Sequence, residues 1–72
     1  MQGKNFHIII RQEGEYVIAK ALENNVSSFG KDTISAMDNL KEALELYYEA
    51  EKEPLYQEIK SVALVDYQLE NA

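Results

Sequence analysis

The chain has no cysteine and no tryptophan, and only one histidine, one proline and three glycines among its 72 residues. Without cysteine there is neither a disulfide nor a thiolate-bound zinc to support a small fold. A domain near this size buries only about 60% of the surface its unfolded chain exposes, so its stability is marginal. Oligomerisation is the remaining support, and a homodimer or tetramer is expected. Gly3, Gly14 and Gly30 are isolated. The chain therefore has no glycine loop to cradle phosphate, no G-x-S-x-G elbow and no H-E-x-x-H metal motif. No apolar run approaches the roughly 20 residues of a membrane span, and the N-terminus lacks a signal-peptide pattern. A soluble, cytoplasmic protein without membrane contact is the expectation.

Basic residues are also scarce: 7 Lys and Arg stand against 13 Asp and Glu, a net charge of −6. The imbalance is local. Residues 1–31 carry a net +1 and residues 32–72 a net −7. An acidic field repels phosphate, so direct nucleic-acid binding is not expected. A basic protein partner fits better, as does plain solubility.

What is present reads first as strands. Phe6, Ile8 and Ile10 alternate with His7, Ile9 and Arg11, a period of two with β-branched content. Gln12–Glu15 reads as a hairpin turn around Gly14, and Tyr16–Ala21 as the return strand. Leu22–Asn25 forms a second turn, since Asn tolerates left-handed backbone. Val26–Phe29 is a short third strand ending at Gly30.

At Asp32 the period changes to 3.6. Asp32 is placed to cap a helix, with Ser35 three residues on. Ala36, Met37, Leu40, Ala43, Leu44 and Tyr47 form its apolar stripe, and Asp38, Lys41, Glu42, Glu45 and Glu49 the other side. Ile34 lies off the stripe. Pro54 ends the helix near Lys52. Leu55–Ile59 is either one helical turn or an extended connection, and Ser61–Leu69 alternates and reads as a final strand. The fold class is therefore α+β: a three-stranded antiparallel meander, one long helix and a fourth strand, in the order β-β-β-α-β. It forms one domain over residues 1–72, with its core between 5 and 69. One helix covers one sheet face, yet Ile9 and Ile18 point to the other, which suggests another subunit.

Catalytic chemistry finds few parts. His7 lies within a strand, where a single histidine usually packs. The first three strand interiors hold no Asp or Glu, so they cannot converge carboxylates on paired metal ions. No catalytic residue, metal, cofactor or small-molecule substrate is assigned, and the chain is not read as an enzyme. Tyr48 either anchors a protein interface amid the glutamates or closes the margin of the core.

Gly14-Glu15-Tyr16-Val17, then Ser28-Phe29-Gly30, then Ala36–Tyr47 with Ala36, Asn39, Glu42 and Ala43 in register resemble the HicB-like antitoxin family. The similarity covers roughly residues 6 to 50. The family's P-E-L-P-G turn is replaced by Ala21–Asn25, its Thr cap by Asp32, and the Glu before Ala36 by Ser35. The resemblance implies a truncated RNase H-like fold without nuclease activity, in a short member lacking the C-terminal DNA-binding domain. It also implies a partner: a small basic HicA-type toxin that cleaves mRNA and is neutralised by masking. Glu42, Glu45, Tyr48 and Glu49 are the candidate partner-binding residues. The alternative is an orphan dimeric interaction or scaffold domain without a toxin.

Overall fold

The computed structural model describes residues 3–70. Strands β1 (Ile8–Glu13), β2 (Tyr16–Ala21) and β3 (Ser27–Gly30) are followed by helix α1 (Thr33–Ala50). The strands form one antiparallel sheet in the order β1-β2-β3.

Each connection has a local cause. β1 runs on to Glu13, which pairs with Tyr16 across a turn of Gly14 and Glu15. Gly14 has φ +60° while Glu15 has no positive φ. A positive φ at the first central position alone is a type II′ turn, whose twist suits a hairpin. The tightness of this turn moves β1 two residues later than the hydrophobic alternation suggests. The second turn places Asn25 at φ 64°, and the Asn24 side chain accepts the Val26 N–H at 3.0 Å. At the head of α1, Asp32 Oδ1 accepts the Ser35 N–H at 2.8 Å. That bond holds the Asp32 carboxyl below its ordinary range.

Register fixes the two faces. Ile8, Ile10 and Gln12 pair with Ala21, Ala19 and Val17, and Ser28 and Gly30 pair with Ala19 and Val17, all on the helix side. Val17, Ala19, Ala36 and Leu40 form the buried core, with Ile8, Val26, Met37 and Leu44 packed against it. A Cβ on Gly30 would meet the Ala36 nitrogen at 2.6 Å and the Ser35 Cβ at 2.7 Å. Gly30 is thus the point where backbone meets backbone and the helix can lie close on the sheet. Asn39 Nδ2 reinforces the crossing by donating to the Phe29 carbonyl at 2.8 Å. α1 packs across β3 and β2, leaving Ile10 on β1 exposed.

On the opposite face, Ile9, Arg11 and Glu13 stand beside Tyr16, Ile18 and Lys20, and Phe29 beside Ile18. Tyr16 and Phe29 pack edge to face across the strands with centroids 5.4 Å apart. No element covers this face among the described residues.

The expected fourth strand is corrected. Residues 61–69 pair with no strand, and every one of them is exposed. Alternation gives a segment the pattern of a strand, but a strand also needs a hydrogen-bonded partner, and among the described residues this segment has none. The core correspondingly stops short of residue 61. Of the two readings for Leu55–Ile59, the extended one holds.

Candidate functional site

Two surfaces and one buried polar cluster carry the chemically informative residues. The first surface is the outer side of α1. Successive helical residues turn by about 100°, so Asp38, Glu42, Glu45 and Glu49 fall on one stripe. All four are exposed, and no ion pair reaches them among the described residues. Like charges four apart, Asp38 with Glu42 and Glu45 with Glu49, repel. Glu49 also lies in the last turn, at the negative end of the helix dipole, where no basic residue stands. Lys41 on the same side offsets part of the repulsion, and the stripe remains net negative. Leu46 emerges beside these carboxylates with 58% of its surface exposed. Ile34, 74% exposed, continues the stripe one turn before Asp38.

Glu42, Glu45 and Glu49 are thus brought together as their spacing suggests, whereas Tyr48 is placed differently. It is half-buried. Its hydroxyl accepts from Asn24 Nδ2 at 3.0 Å and donates to the Leu55 carbonyl at 2.8 Å. The neighbouring Tyr47 hydroxyl accepts the Leu55 N–H at 2.8 Å. Tyr48 ties the chain leaving the helix to the turn after β2. Leu46 is the residue that sequence reasoning missed. The signal was available, since it lies about 200° around the helix from Leu44 and so cannot share the core stripe.

The buried cluster lies below Tyr48. Glu23, 2% exposed, accepts the His7 backbone N–H at 2.9 Å and faces His7 Nδ1 at 2.6 Å. An ionised carboxylate only accepts, so His7 carries its proton on Nδ1 in this pair. Burial pushes the Glu23 carboxyl up, but the hydrogen bonds from His7 outweigh it and hold the group below its ordinary range. The Glu23 carbonyl accepts the Gln57 N–H at 2.9 Å, and Tyr56 packs on Phe6 with centroids 5.5 Å apart. His7 precedes β1 instead of lying within it. The cluster is a clasp joining the start of the sheet, its second turn and the segment after the helix. A turn glutamate sixteen residues from its histidine carries no local signal of this pairing.

The second surface is the uncovered sheet face, where Arg11, Glu13, Tyr16, Ile18, Ser27, Ser28 and Phe29 line a shallow, open depression. Arg11 Nε donates to Glu13 Oε2 at 2.6 Å beside it. Among the described residues no three His, Cys, Asp or Glu side chains converge as a metal site, and no helix is long and apolar enough to cross a membrane.

Compared with known proteins, the chain matches no family model, no curated protein and no solved structure.

Proposed function

We propose that the chain is a non-catalytic protein-binding module of the antitoxin type, on a truncated RNase H-like arrangement, that masks a small basic mRNA-cleaving ribonuclease of the HicA kind. The observation that supports it is the stripe of Asp38, Glu42, Glu45 and Glu49 beside exposed Leu46. These carboxylates repel one another and Glu49 also faces the negative end of the helix dipole, so a basic surface laid on them relieves a cost the free helix carries. Lys and Arg side chains that hold RNA phosphate also hold carboxylate. Occupying them denies the ribonuclease its substrate. Leu46 supplies an exposed apolar side chain at the margin of the stripe, beside Glu42 and Glu49, that a partner can desolvate while the charges steer the encounter. The same charges repel RNA and DNA, so the module binds the ribonuclease and not its substrate. The kind of partner comes from the resemblance of residues 6 to 50, and the face from the geometry.

The test reads the adjacent reading frames for a short basic protein and titrates the purified chain against it, with RNA cleavage as the readout; no such frame would overturn the antitoxin reading. Inhibition is expected, weakening as salt rises. Changing Glu42, Glu45 and Glu49 together to Gln should weaken binding by roughly tenfold or more. Unchanged inhibition by that variant would overturn the assigned face, and absence of any inhibition would overturn the antitoxin reading. In the latter case the orphan scaffold reading stands, favoured by the exposed apolar segment that follows the helix.

A further inference from the structure

We propose that residues 61–69 form a strand on a second copy of this chain, adding to the open edge of its β1, in a reciprocal exchange that makes a closed dimer. The segment is extended and exposed throughout, with Leu64 at 88% and Tyr67 at 82% exposure. Isolated apolar residues on a surface are ordinary, but Val62, Leu64, Val65, Tyr67 and Leu69 are concentrated in one short stretch. The consequence is visible in the dimensions of the chain. Its radius of gyration is 14.4 Å, against about 11 Å for a compact domain of this length. Its accessible surface is 6243 Å², whereas a compact monomer of this mass exposes about 4,600 Å². If each copy buries the excess, a dimer hides on the order of 3,000 Å², within the roughly 2,000–5,000 Å² of obligate homodimers.

The receptor is on the same molecule. β1 pairs with β2 on one side, and among the described residues no hydrogen bond reaches the other edge of Ile8–Glu13. The edge of β3 is less open, because α1 lies over it and Asn39 already occupies the Phe29 carbonyl. The faces also correspond. Ala63, Val65, Tyr67 and Leu69 share one side of an extended segment, which suits the helix side of β1, where Ile10 is left exposed beside the core-packed Ile8. Asp66 then falls on the other side, the side of Arg11, whose guanidinium has donors beyond the one given to Glu13. Both halves of the contact come from one chain, so the exchange is two-fold and closes, removing the exposed edge and the exposed strand together.

Sedimentation of the full chain is expected to show a dimer. Hydrogen exchange is expected to show the amides of 61–69 protected, and that protection lost on dilution. Val65→Pro removes a strand donor from a residue without contacts in the single chain, so it should yield a monomer with unchanged circular dichroism. Arg11→Asp and Asp66→Arg should each weaken the dimer, and mixing the two variants should restore it, because only a heterodimer then pairs opposite charges at both contacts. A wild-type monomer across the micromolar range overturns the proposal. So does a dimer that survives Val65→Pro, protection of 61–69 that ignores concentration, or a mixture that fails to recover.

Discussion

Residues 8–50 and residues 51–70 come from the same chain with similar apolar patterning, yet only the first stretch folds onto itself. In the first, each strand finds an edge within a turn's length: Glu13 meets Tyr16, and Lys20 meets Ser27. In the second, Tyr56 and Gln57, together with Tyr47 and Tyr48 of the helix, fasten the chain near the start of β1, and no hydrogen bond reaches residues 61–70 among the described residues. Apolar alternation gives a segment a preference for extended backbone, but the hydrogen bonds of a strand belong to the pair. The difference between the regions is the presence of a partner edge, and it can be tested from both sides.

The largest effect is expected at the close contact that makes the first region possible. Gly30→Val should abolish the folded state, because its Cβ would strike backbone atoms that cannot yield without parting helix from sheet; loss of helical circular dichroism checks it. Leu40→Ala removes the largest apolar side chain that is completely buried and should cost about 2–5 kcal/mol in urea unfolding. In a core whose other buried apolar members are Val17 and three alanines, that loss leaves little margin.

The clasp between the two regions should respond more gently, and to acid. Glu23 has a depressed native pKa, so its contribution is complete above the ordinary glutamate value. It fades as pH falls through the native one. The wild type should therefore lose more stability than Glu23→Gln when both are taken from neutral pH to about pH 3. Equal losses would show that the His7 pair does not hold the junction. Asp32→Ala should lower the melting temperature by a smaller amount, through loss of the cap on Ser35. Smallest of all, Leu64→Ser should leave unfolding unchanged at concentrations dilute enough to keep chains apart. A large loss there would mean that the second region folds on the first.

Local chemistry explains what was legible. Gly14 and Asn25 sit where backbone of positive φ is needed, and Asp32 where a first-turn amide needs an acceptor. Leu40 and Ala36 recur at the helical period on the buried side. The carboxylates Glu42, Glu45 and Glu49 could be grouped for the same reason, since helical spacing alone puts them on one face. Tyr48 and Glu23 could not be placed this way. Their partners, Asn24 and Leu55 for one and His7 for the other, are brought close only after the sheet and helix have assembled.

By itself the sequence determined the elements whose causes lie within a few residues: the hairpin turns, the helix and its cap, and the acidic stripe along it. Tertiary structure alone decided that Gly30 lies against the helix backbone, that Glu23 is buried against His7, and that Ser61–Leu69 has no strand beside it. The physical reason is range. Backbone preference and helical spacing act along the chain, whereas burial, ion pairing and strand pairing require a neighbour that only the folded chain, or a second one, can bring.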